Sequence, residues 1–85
     1  MIERIQKICR EVCGREVGKD ELLLASGVLD SFKLMELICS LEEEFHILFE
    51  PEEIMELDHF SSVGQMAEIV GKKAGRISQV SKVHI

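Results

Sequence analysis

Gly27-Val28-Leu29-Asp30-Ser31-Phe32 runs straight into Lys33-Leu34-Met35-Glu36-Leu37-Ile38-Cys39-Ser40-Leu41-Glu42-Glu43-Glu44-Phe45. In the second stretch Leu34, Leu37, Ile38, Leu41 and Phe45 recur at spacings of three and four, the period of a helix that buries one face. Asp30 and Ser31 are both favoured N-caps, because a short side-chain oxygen accepts one of the first unbonded backbone N–H groups. The helix is therefore expected to start at Asp30 or Ser31. If Asp30 does the capping, a second capper is redundant, and the Ser31 hydroxyl stands at the head of an acidic amphipathic helix.

Upstream, Ile2, Ile5, Ile8, Cys9 and Val12 repeat with the same period and predict a first helix, with Gly14 and Gly18 marking its decay. Between the two lies a stretch from about Arg15 to Asp30 without sustained periodicity. Loops of that length are uncommon in compact domains unless they are functional or pinned by their own side chains. Leu22, Leu23, Leu24, Val28 and Leu29 are the expected pins, and Asp20-Glu21 would open a short turn. Downstream, Glu50-Pro51-Glu52-Glu53 is a helix start with Pro in the first turn and acids facing the dipole. Only Ile54, Met55 and Leu57 follow before Asp58-His59, so that third helix is short. Ser62-Val63-Gly64-Gln65 fits a capping box, and Val63, Met66, Ala67 and Val70 carry a fourth helix expected to end near Gly71 to Gly75. The expected domain spans residues 1–75, with a mobile tail over 76–85.

A chain of 85 residues makes one domain. It is too small for a deep enclosed catalytic cavity, since at this size folding removes only roughly 60–65% of the unfolded chain's surface from water. An apolar fraction of 46% with four Phe, no Trp and no Tyr suits helices packed by Leu, Ile, Val and Met. The expected fold class is all-α, a small four-helix bundle with one long loop.

The net charge of −6 is unevenly spread. Residues 20–68 hold thirteen acidic side chains against one basic, Lys33, a balance of −12, whereas residues 1–19 stand at +2 and residues 69–85 at +4. An anionic middle disfavours nucleic acid and favours partners with basic docking patches, through encounter rate and orientation. The plainer alternative is a charged surface that only keeps the protein in solution.

The longest apolar run, Leu22-Leu23-Leu24-Ala25, is far short of the roughly 20 residues that span a bilayer. The first residues contain no apolar signal region, and three cysteines cannot all pair, so a reducing cytoplasm is expected; the domain is also expected to be monomeric.

Several chemistries find no support. Cys9 and Cys13 stand at i, i+4, but no further ligands follow at a recognised spacing, and Cys9 falls on the core stripe; no metal is expected. His46, His59 and His84 are scattered, Ser31 lacks a Gly-x-Ser-x-Gly context, and no phosphate-binding glycine loop is present. No catalytic residues are expected. Met35, Cys39 and Glu42 lie below Ser31 on the helix and would form either a surface for several partners or ordinary boundary packing.

Asp30-Ser31-Phe32, Glu36-Leu37, Leu41-Glu42-Glu43-Glu44-Phe45, Pro51-Glu52-Glu53-Ile54 and Phe60-Ser61-Ser62-Val63 together resemble the acyl carrier protein pattern, in order and spacing, over roughly residues 1–73. The resemblance implies a carrier fold with a long loop between helices 1 and 2 and a short helix 3. It implies that Ser31 is joined to 4'-phosphopantetheine taken from coenzyme A by a separate Mg-dependent phosphopantetheinyl transferase, with Asp30 positioning that transfer. The arm's thiol would then hold an acyl or aminoacyl group as a thioester, in fatty-acid, polyketide or specialised lipid biosynthesis. Docking would fall to Phe32, Met35, Glu36, Cys39, Glu43, Glu44 and Glu53, and an acyl chain would be sheltered by Ile54, Met55 and Phe60. Phe32 departs from the Leu usual in fatty-acid carriers. Asp-Ser-Phe is more like D-alanyl carriers and others loaded by adenylate-forming ligases, so the partners implied are those ligases or acyl-handling enzymes. The alternative from another class is an unmodified acidic interaction module.

Overall fold

The computed structural model describes the backbone of residues 1–84 and the side chains of residues 1–74. Helix α1 spans Ile2–Cys13, α2 Ser31–Phe45, α3 Pro51–Met55 and α4 Val63–His84, with a 3₁₀ turn at Leu57–Phe60 between α3 and α4. There is no strand among the described residues. Helix α1 packs against both α2 and α4.

Each long helix sits where its apolar period places it. Ile5, Ile8 and Cys9 of α1 meet Leu34, Leu37, Ile38 and Leu41 of α2 and Val63, Met66 and Val70 of α4 in one core. Burying side chains of this size stabilises the fold by about 1.5–3 kcal/mol each. Gly14 ends α1 in the left-handed region, φ 78°, with its N–H donating to the Arg10 carbonyl. His46 does the same for α2 at φ 55°, donating to the Glu42 carbonyl, in a conformation that side chains other than glycine and asparagine rarely adopt.

The loop between α1 and α2 is pinned in two ways. Leu23, Leu29 and Val17 enter the core, while Leu24 and Val28 are partly buried. Leu22, expected among the pins, is instead 58% exposed, because the turn beginning at Leu23 points its predecessor outward. Val17 adds a pin beyond the expected set. Backbone bonds do the rest: the Leu23 N–H donates to the Ser61 carbonyl at 2.9 Å, and the Gly64 N–H to the Lys19 carbonyl at 3.1 Å. The loop is thus tied to the start of α4.

Helix α4 does not end near Gly71 to Gly75 but continues to His84. Glycine costs only about 1 kcal/mol inside a helix, and it stops one where the chain turns into the left-handed region, which Gly71 does not do. The expected tail therefore begins within this helix. The side chains over 75–85 lie outside the described residues, and with them the expected mobility.

Candidate functional site

The head of α2 is built by a division of labour between two adjacent oxygens. Asp30 is the N-cap, with extended backbone, and its carboxylate Oδ1 accepts from the Lys33 N–H at 2.8 Å. Ser31 is the first helical residue and is exposed. Its hydroxyl has no hydrogen-bond partner among the described residues, and neither do the backbone N–H groups of Ser31 and Phe32. The result is a free hydroxyl beside two free donors, at the helix end whose dipole favours an anion.

Below Ser31, the exposed side of α2 carries Phe32 at 75% exposure, Met35 at 51%, Cys39, and the carboxylates Glu36 and Glu43. These five fall at i, i+3, i+4, i+7 and i+11, a narrow stripe opposite the core face. Phe32 therefore faces solvent and does not pack on the loop. Met35 and Cys39 likewise point away from the core.

The structure separates the other acids from this stripe. Glu44 forms an ion pair with Arg4, whose guanidinium also lies 4.8 Å from the centre of the Phe45 ring. Glu42 accepts from the Phe49 N–H at 3.0 Å. Glu53 holds the buried Lys73 ammonium at 2.7 Å and accepts from the Glu50 N–H at 2.7 Å. Among the described residues, the carboxylates of α2 that hold no partner are Glu36 and Glu43.

The three residues expected to shelter an acyl chain occupy different depths. Phe60 is fully buried and packs edge-on against Phe49 with ring centres 5.3 Å apart. Ile54 is half-buried against the core, and Met55 is 80% exposed. A hollow of about 290 Å³ is lined by Glu53, His59, Gln65, Glu68, Ile69 and Lys72, and by none of these three residues.

Cys9 and Cys13 are placed away from this chemistry. Burial, with Cys13 nearby, pushes the Cys9 thiol up to about 12, and its Sγ lies 3.8 Å from the Met66 sulfur. Burial also raises Cys13, against the opposing pull of Lys33 and Arg15. Neither thiol is activated as a nucleophile or metal ligand. Among the described residues no three His, Cys, Asp or Glu side chains come together as a metal site.

A family model for the phosphopantetheine attachment site matches residues 3–70, from α1 into α4. The chain belongs to that family. It is a carrier domain that takes a covalent 4'-phosphopantetheine. The residues at the head of α2 fit such a group: an accessible hydroxyl can be esterified, and the free N–H groups beside it suit a phosphate. Comparison of the carrier with curated proteins gives no match. None of its described helices is long and apolar enough to cross a membrane.

Several features of the carrier had no signal in the sequence. Lys73 reads as an ordinary basic residue of α4, yet it is buried at 6% exposure. Arg4 acquires its role from Glu44, 40 positions away along the chain, and Val17 from the core that packs around its side chain.

Proposed function

We propose that Ser31 is the attachment residue and that the chain is a non-catalytic carrier, delivering acyl or aminoacyl groups as thioesters between cytoplasmic enzymes. The observation that supports this most is the unbonded, exposed hydroxyl at the first residue of α2, whose capping duty Asp30 has already taken. When bound, phosphopantetheine supplies the thiol that holds the cargo. The chain's own part is to present the hydroxyl to a phosphopantetheinyl transferase, to keep the phosphate near free N–H groups, and to be recognised. Asp30 supports the first task by holding the backbone at Ser31 in one conformation.

Recognition falls to Phe32, Met35, Glu36, Cys39 and Glu43, an apolar strip edged by two free carboxylates. Partner enzymes, whether acyl-handling or adenylate-forming, would meet it with an apolar groove and a basic rim. Exposed ion pairs contribute about 0–1 kcal/mol each, which makes docking brief and sensitive to salt, as a shuttle requires. Glu44 and Glu53 take part less directly, since Arg4 and Lys73 already partner them. A long acyl chain that leaves solvent would do so beneath α3, with Ile54 and Phe60 on the inner side and Met55 at the rim.

Mass spectrometry tests the assignment. Incubated with coenzyme A, Mg²⁺ and a promiscuous phosphopantetheinyl transferase, the wild type gains one phosphopantetheine and Ser31→Ala gains none. An unmodified wild type would leave an acidic interaction module as the better reading, and a modified S31A would move the site elsewhere.

A further inference from the structure

Lysine is among the residues least often found buried, because its ammonium loses hydration that only a close partner restores. Lys73 is such a case. It lies on α4 at 6% exposure, with Nζ 2.7 Å from Glu53 Oε1 and 5.5 Å above the centre of the Phe49 ring. The pair spans from α4 to α3, and Glu53 side-chain exposure is itself only 18%.

Helix α3 contributes little buried surface of its own. Five residues are far too few for a self-supporting helix, and none of these is fully buried. Pro51, Glu52 and Met55 face solvent, leaving half-buried Glu53 and Ile54 as its inward contacts. The same Glu53 oxygen also accepts from the Glu50 N–H that opens α3, so the ion pair and the helix start share one atom. A segment with so few buried contacts opens at a fraction of the cost of global unfolding.

Phe60 belongs to the 3₁₀ turn that α3 contacts, and Phe49 lies under the same Lys73 ammonium that Glu53 of α3 holds; packed edge-on and buried, the two rings are the apolar interior that an acyl chain would have to enter. We infer that the Lys73–Glu53 pair is an ionic latch that holds α3 shut over the Phe49–Phe60 pair. With the latch closed, the carrier presents small cargo to solvent; a long acyl chain moves inside only when the pair parts. This deepens the carrier reading and rests on it for the cargo, though not for the latch itself.

Hydrogen exchange on the full, unmodified chain measures the latch without any arm. Glu53→Gln is expected to speed exchange of the Ile54 and Glu56 amides, which close the turns of α3, by about tenfold or more, the scale of a lost charge-assisted bond. Leu37 and Leu41 amides in α2 should keep their wild-type rates. Lys73→Met should do the same as E53Q and covers the case in which E53Q folds poorly, while Lys73→Arg should retain wild-type rates. Unchanged α3 amides, an equal acceleration in α2, or K73R behaving like K73M would each overturn the latch.

Cargo is then tested with arms loaded from acetyl- and octanoyl-coenzyme A. On the wild type, hydroxylamine should cleave both thioesters equally fast, whereas E53Q should slow cleavage of the octanoyl thioester alone. Octanoyl protection that is already full in the wild type would refute the gating. A chain that accepts no arm removes the carrier reading and leaves the exchange result standing.

Discussion

Replacing Asp30 and Ser31 separately by alanine tests the observation on which the site depends, because the structure gives the two neighbours opposite energetic roles. The Asp30 carboxylate accepts from the Lys33 N–H at 2.8 Å and stands at the positive end of α2. Asp30→Ala should therefore cost about 1 kcal/mol, within the range of about 0.5–2 kcal/mol for loss of an N-cap. Ser31 bonds to nothing among the described residues and is exposed. Ser31→Ala should cost nothing and, since alanine is the better helix former, should gain up to about 0.5 kcal/mol. An unfolding entropy of about 2.1 cal/mol/K per residue, taken over 85 residues, makes 1 kcal/mol worth roughly 5–6 °C of Tm. D30A should melt roughly that much below wild type and S31A at or slightly above it, followed by helical circular dichroism and checked by urea titration. If S31A falls as far as D30A, the hydroxyl is a structural cap, and its availability for esterification loses its physical basis.

Two further outcomes check the packing and the electrostatics. Leu41 of α2 is fully buried in the core, so Leu41→Ala should lose about 2–5 kcal/mol in urea denaturation; a loss below about 0.5 kcal/mol would mean that α2 turns a different face to the core. Glu21 is held below the ordinary carboxylate range by its hydrogen bond from Arg15 and a second from the Gly18 N–H. Its stabilising contribution is present above the unfolded-state value and lost as pH falls through the lower folded value. The stability advantage of wild type over Glu21→Gln should thus be constant near neutrality and shrink below about pH 4.3, the ordinary value for glutamate. An advantage that stays flat from neutrality into acid would contradict the pairing.

Much of this protein was legible along the chain because it is local. The stripe Leu34, Leu37, Ile38, Leu41 determined which face of α2 is buried, Pro51 marked the start of α3, and Gly14 stood just past the end of α1 where its positive φ closes the helix. Ser31 was legible for the same reason, since two potential caps in succession leave one to spare. Where sequence reading went astray, the deciding contact was distant or the signal was permissive. Gly71 permits a helix end without compelling one, so α4 ran on. Leu22 shares its composition with Leu23, and only the turn that ties Leu23 to Ser61 decides which of the two goes inside.

The acidic middle shows the division most clearly. From the sequence alone, Glu36, Glu42, Glu43, Glu44 and Glu53 are equivalent carboxylates in a field of −12, and that field, with the helix periods and the spare hydroxyl, is what the chain determines unaided. Which of them remain available to a partner depends on Arg4, the Phe49 N–H and Lys73, groups 40, 7 and 20 residues away. Backbone periodicity repeats within a few residues and can be read in order. The pairing of charges depends on distances in space that exist only once α1 and α4 have packed against α2 and α3 has met α4.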